Sequence, residues 1–273
     1  MMRALWSAAS GMRAEQVSLD TISNNISNVN TVGYKEQTTQ FKSLLYQTLQ
    51  AETTSASGDP KPTSAQVGLG TRVASINANY EQGAMLASDN HMALCVSGSG
   101  FFSVSGVDGK TYYTRDGNFG WTLAQNGQRI LSNANGNPVL DTTGKQIVLP
   151  NGAGAEGVTV GKDGAVAYRN AAGQYVPLNQ RVGLFQFPNP VGLGKVSGNL
   201  LEVTDASGAA INEATTNLQI TRSTVAQGYL EGSNVNVADE MVNMIITQRA
   251  YELNSKAITT SDSMLDTANN LKR

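Results

Sequence analysis

From Ser233 to Arg273 the chain contains neither proline nor glycine. Proline removes a helical donor, and glycine costs about 1 kcal/mol in a helix interior, so the run permits one long helix. Asn236 fits the N-cap, and Asp239, three residues on, supplies an acidic variant of the capping box. Asp239 and Glu240 suit the positive end of the helix dipole, Lys272 and Arg273 the other. Such a helix could run about 37 residues, roughly 55 Å at 1.5 Å per residue, which is long for a globular domain.

Its pattern indicates what the length is for. One row steps by four and three through Val237, Met241, Met244, Gln248, Tyr251, Ser255, Ile258, Asp262 and Leu265, the spacing of a coiled-coil seam with three polar interruptions. A second row, displaced around the helix, runs through Ile246, Ala250, Leu253, Ala257, Thr260, Met264, Thr267 and Leu271. Two weak seams predict a helix touched by neighbours on several sides, whereas an ordinary surface helix carries one broad apolar stripe. A two-helix hairpin within one chain would leave the second seam unused. Glu252 and Lys256 form a well-oriented i,i+4 pair, but charges are otherwise sparse.

The first segment mirrors the last. Leu5, Ala9, Met12, Gln16, Leu19, Ile22, Ile26 and Val29 follow the same spacing, predicting an amphipathic helix from Arg3 to about Asn30, with Gly33 just past its end. Its second half is uncharged and rich in Asn and Ser, whose side chains compete for backbone hydrogen bonds. A helix of that composition is marginal alone and needs partners. Phe41, Leu44, Leu45 and Leu49 form a short apolar cluster, in a helical turn or a buried extended segment. Ala51 to Gln66, polar and holding Pro60 and Pro62, reads as an extended linker or mobile loop.

From about Gly68 to Leu218 the period changes to short β-branched and aromatic runs such as MALCV, FFSV, TYYT and QIVL. They are punctuated by Asp108-Gly109, Asp116-Gly117, Asn126-Gly127, Asn135-Gly136 and Asp163-Gly164, the rhythm of a meander of hairpins. The expected fold is therefore α+β. Long terminal helices form a coiled-coil stem (1–33 and 233–273), connectors are extended (34–78 and 219–232), and an inserted, mainly antiparallel β domain (79–218) is sandwich-like or barrel-like.

Composition removes other classes. With 19 basic and 21 acidic residues and no basic run, no nucleic-acid footprint is present. One Cys and one His exclude an intramolecular disulfide and make a zinc site or a conventional triad improbable. No window of 18 apolar residues suggests a membrane span, and the first residues lack the apolar core of a cleaved signal peptide. Gly68-Leu69-Gly70 and Gly98-Ser99-Gly100 lack the third glycine of a dinucleotide fingerprint. Asp108 and Asp116 read as turn aspartates, not a carboxylate pair. Cys95 reads as a small core residue, His91 as a surface or packing residue, and Tyr112, Tyr113 and Trp121 as core and cross-strand residues. No catalytic, cofactor or metal residue is expected.

The stretches SGMRAEQVSLDTISNNISNVNTVGYK, GSGFFSV, YTRDGNF and QGYLEGSNVNVADEMVNMIITQRAYELNSKAI together resemble the rod and hook family of bacterial flagellar axial proteins. LLYQT at Leu44 to Thr48, the polar stretch after it, and VADEMVNMI are most similar to the family's distal rod branch. The resemblance implies terminal helices packed as a coiled coil lining a tube, with β domains facing outward. It also implies subunits exported without a cleaved signal by the flagellar type III apparatus, stacking helically under a rod cap in the basal body. The expected role is a rigid, non-catalytic drive shaft for motility. Its partners would be further copies, proximal rod proteins, the hook protein and surrounding ring or bushing proteins. The expected interface residues are Leu5, Met12, Leu19, Ile22 and Ile26 on the first helix, and Val237, Met241, Met244, Ile245, Tyr251, Leu253 and Ile258 on the last. The alternatives are a hook subunit of the same family and, more remotely, a secreted cell-wall or carbohydrate-binding β protein.

Overall fold

The computed structural model describes residues 2–50, 65–124, 127–150, 153–154, 157–170, 172–215 and 221–271. The stretch expected as a linker lies outside the described residues except for Ala65 and Gln66, as do Asn126, Lys272 and Arg273. The architecture is α+β, with two long helices and antiparallel strands in open sheets. The chain divides into one unit of residues 1–27, 37–78 and 236–273 and another of 28–36 and 79–235.

The first unit holds α1 (Met2–Ser27), α2 (Val237–Asn270) and a ribbon of four strands, β1 (Gln37–Ser43), β2 (Tyr46–Gln50), β3 (Ala65–Gly68) and β4 (Thr71–Ala78). β1 pairs with β4 and β2 with β3, both antiparallel. α2 is 34 residues long. Its Asn236 cap accepts from the Ala238 amide, but Asp239 answers the Asn236 side-chain amide at 2.7 Å instead of closing a reciprocal backbone box. α1 stops at Ser27, so Gly33 is not its immediate cap; it lies farther on, left-handed at φ 68°.

α1 runs alongside α2 and against the ribbon. A Cβ on Gly11 would meet the Asn254 side chain, while Glu15 and Leu19 line a groove with Thr247 and Tyr251, so the two helices are antiparallel. The polar half of α1 finds its partners on β1. Asn25, 0% exposed, donates to the Gln37 carbonyl at 2.8 Å and accepts from the Gln37 amide at 2.9 Å. Thr39 donates to the Thr21 hydroxyl at 3.0 Å. Asn25 and Thr21 of the polar half are thus satisfied within one copy.

The ribbon corrects the reading of the Phe41 to Leu49 cluster. It is extended but not buried, and Leu45 is 81% exposed.

The second unit centres on a six-stranded antiparallel sheet. Its order is Gly194–Val196, Leu200–Glu202, Thr111–Thr114, Phe101–Ser105, Leu184–Gln186 and Ile211–Asn212. Neighbouring residues of a strand face opposite sides. Phe102 enters a core with Leu94, Val104, Phe119, Leu131 and Ile147, while Phe101 enters a second cluster with Tyr113, Phe187 and Leu201. Both faces are therefore covered. Two three-stranded sheets and short two-stranded pairs complete the unit, open at their edges and not closed into a barrel.

Four of the expected turn glycines, Gly109, Gly127, Gly136 and Gly164, adopt positive φ. Gly117 does not, and its segment is no hairpin, because the strands on either side belong to different sheets. Close approach explains the glycine there, since a Cβ would lie 1.6 Å from the Leu94 carbonyl oxygen. Cys95 is buried and His91 exposed, Tyr113 is core, and Tyr112 and Trp121 pack half-buried against the core.

Candidate assembly surface

On α2, Glu240, Met244, Thr247, Ala250, Asn254, Ile258, Ser261 and Leu265 are buried or half-buried, again in steps of three and four, with Ser255 half-buried beside them. This seam shares Met244, Ser255, Ile258 and Leu265 with the row expected from sequence. It takes in Glu240, Thr247, Ala250 and Ser261, each one position before the exposed Met241, Gln248, Tyr251 and Asp262. At Asn254 the reason is steric: α1 offers Gly11, where a Cβ would lie 2.8 Å from the Asn254 side chain.

The consequence is a mixed inward face. Polar and small side chains alternate there with Met244, Ile258 and Leu265, while Met241, Val242, Ile245, Ile246, Leu253 and Met264 face water. Ile245 is 56% and Leu253 65% exposed. Of the expected interface residues, Val237, Met241, Ile245, Tyr251 and Leu253 are exposed, and Met244 and Ile258 half-buried. On α1, Ile22 is buried inside the unit, and Leu5, Met12, Leu19 and Ile26 are half-buried.

Two grooves flank the helices. One, of about 420 Å³, lies between α1 and the ribbon, lined by Trp6, Ala9, Arg13, Leu44, Arg72 and Val73 among others. The second, of about 380 Å³, runs between α1 and α2 past Glu15, Leu19, Gln248, Tyr251 and Glu252. Partial burial pushes the Glu15 carboxyl above the usual range. One groove thus carries two arginines and the other two carboxylates.

A feature that sequence reasoning missed lies within the second unit. The Glu231 carboxylate, fully buried, accepts from Lys35 Nζ at 2.7 Å, from Arg115 Nη1 at 3.2 Å and from the Gly83 amide at 3.0 Å. Lys35 also donates to the Glu81 carbonyl, and Arg115 Nη2 to the Gly98 carbonyl at 2.8 Å. The guanidinium lies 4.8 Å from the Phe101 ring centroid, within cation–π range. Burial lowers the Lys35 pKa, against the opposing attraction of Glu231. The three residues come from GYK, YTRDGNF and QGYLEGSNV, three of the separated motifs that carried the family resemblance. That common origin was the available signal.

An apolar face of this extent on a charge-poor helix marks a protein built to associate. Among the described residues no group of three or more His, Cys, Asp or Glu could hold a metal. Comparison with known proteins agrees in kind. Residues 5–35 match the family "Flagella basal body rod protein", 95–168 the "Flagellar hook protein FlgE/F/G D1 domain", and 226–271 the "Flagellar basal body rod FlgEFG protein C-terminal". The chain is similar to the flagellar basal-body rod protein FlgG of Borreliella burgdorferi, at 41% identity over 100% of both chains. It is 40% identical to that of Buchnera aphidicola subsp. Schizaphis graminum, over 97% of this chain and 98% of the relative. To that of Bacillus subtilis it is 36% identical over 100% of both. The chain belongs to the flagellar rod and hook protein family, whose members are structural subunits of the flagellum and not enzymes. Its place is the flagellar basal body, among other axial components.

Proposed function

We propose that the chain is a subunit of the distal rod, self-assembling helically into a rigid tube that carries rotation from motor to hook. The observation that carries this reading is the set of large apolar side chains that α2 leaves exposed, Met241, Val242, Ile245, Ile246, Leu253 and Met264. A helix that meets its intramolecular partner partly through small and polar residues keeps these hydrophobic contacts for other copies. A heterologous contact repeated by a screw operation generates an open tube, not a closed ring.

In this reading α1 and α2 form the coiled-coil stem, residues 1–33 and 233–273, and meet neighbours through the expected interface residues other than Ile22, which is buried within its own copy. Proximal rod proteins lie below, the hook protein beyond and a rod cap at the growing end. A ring or bushing surrounds the shaft, and the flagellar type III apparatus exports the chain across the periplasm without a cleaved signal. The stretch from Ala51 to Gln66 resembles the distal rod's insertion, which in the family is linked to holding the rod straight.

The test is electron microscopy of detergent-extracted basal bodies from cells lacking the gene, beside cells carrying Met241→Asp and Ile245→Asp. The expected particles end at a short proximal rod without a hook in both strains. Complete rods lacking only the hook would make this the hook protein, and normal flagella in both would overturn the axial reading.

A further inference from the structure

The chain passes between its two units four times, after Ser27, Glu36, Ala78 and Val235. On the second unit's side these crossings border three segments, 28–36, 79–83 and 231–235, and all three are tied to one another. The Glu36 amide donates to Asn234 Oδ1 at 2.7 Å, Asn234 Nδ2 donates to the Asn79 carbonyl at 2.9 Å, and the Asn79 amide donates to the Glu36 carbonyl at 2.8 Å. The ring closes on itself. Beside it, the Gly33 amide donates to the Glu231 carbonyl at 2.8 Å, and the Gly232 amide to the Ala84 carbonyl at 2.8 Å. The Glu231 carboxylate then takes donors from the first segment through Lys35, from the second through Gly83, and from the body of the β unit through Arg115.

Free linkers would be hydrated and would move independently. Here the charges at the centre are shut off from water, since Lys35, Arg115 and Glu231 are all buried, while Glu81 and Gln82 of the second segment are exposed. Burying three charges carries a desolvation penalty that apolar side chains avoid, so the cluster is a poor device for raw stability. What it supplies is specificity. A carboxylate accepts from several directions at once, and no apolar side chain can hold three backbone segments in register that way.

We propose that Glu231, between Lys35 and Arg115, is a positioning residue that locks the three border segments into the cooperative fold of the β unit. The chain therefore leaves that unit from one rigid node. The proposal goes beyond the assembly role, because it concerns a single copy and is tested without polymerisation.

The experiment is native-state amide hydrogen exchange on the purified full chain, comparing wild type, Glu231→Gln, and the triple apolar variant Lys35→Met, Arg115→Met, Glu231→Leu. In wild type the Gly33, Glu36, Asn79 and Gly83 amides exchange no faster than those of Ser103 and Ser105 in the central sheet. In Glu231→Gln they accelerate at least tenfold relative to Ser103 and Ser105. Should that variant lose the whole β unit, the triple variant decides, being expected to keep the central sheet protected while the border amides exchange fast. Border amides that already exchange freely in wild type overturn the proposal. So does equal acceleration of border and central amides in a folded Glu231→Gln, or a triple variant whose border segments stay protected.

Discussion

At the residue scale, burial governs titration. Desolvation pushes the Cys95 thiol from its ordinary value near 9.0 up to about 11; Glu231 adds to this, and Arg115 and Lys35 oppose it. Tyr80 rises from 10.0 to about 12 by the same cause, with Arg115 opposing. Both groups hold their proton in the folded chain where the unfolded chain has released it. Their stabilisation is complete below the unfolded values and is lost as pH rises through the folded ones. Urea unfolding is therefore expected to show stability falling between about pH 9 and pH 11, less steeply in Cys95→Ala than in wild type. Equal slopes in the two proteins would remove Cys95 from the account. At neutral pH the thiol resists alkylation in the native state, because the thiolate is the reactive form and the side chain is enclosed.

At the scale of elements, α1 depends on β1 more than on its own propensity. Asn25 satisfies both backbone groups of Gln37 from a site without solvent. Asn25→Ala removes two hydrogen bonds to the half-buried Gln37 backbone, which at about 0.5–1.5 kcal/mol each costs about 1–3 kcal/mol. Thermal unfolding followed by circular dichroism is expected to show the loss, and an unchanged midpoint would mean that water replaces the side chain at no cost. The period of three and four was legible for both helices, as was the Asn236 cap. The face of α2 that meets α1 was not. Hydrophobicity alone points the apolar row inward, whereas close approach to Gly11 sets Asn254 against α1. For the same reason the ribbon was legible only as an apolar cluster of undecided structure. Exposure of Leu45, Tyr46 and Leu49 depends on what the strand packs against, and sequence spacing does not state that.

At the scale of the whole molecule, the exposed apolar face separates folding from assembly. Met241 and Ile245 face solvent, so Met241→Asp and Ile245→Asp are expected to change the stability of the isolated chain by no more than about 0.5 kcal/mol. In an assembly the same carboxylates would replace side chains whose full burial contributes about 1.5–3 kcal/mol each. Chemical denaturation of the purified variants, beside sedimentation of wild type and variants under polymerising conditions, checks both halves. A large loss of stability would show that the face belongs to the fold of one copy.

Sequence by itself determined the two long helices, the change to a β period between them, the turn glycines Gly109, Gly127, Gly136 and Gly164, and the family, because these rest on local periods, local backbone demands and short motifs. Tertiary structure decided which residues of α2 face inward, why Gly117 is glycine, and that Lys35, Arg115 and Glu231 meet at one buried site. The meeting of the three charges depends on segments 196 residues apart being brought within hydrogen-bonding distance. The motifs holding the three charges were visible in the sequence, but their convergence was not, since burial and pairing are properties of the packed chain.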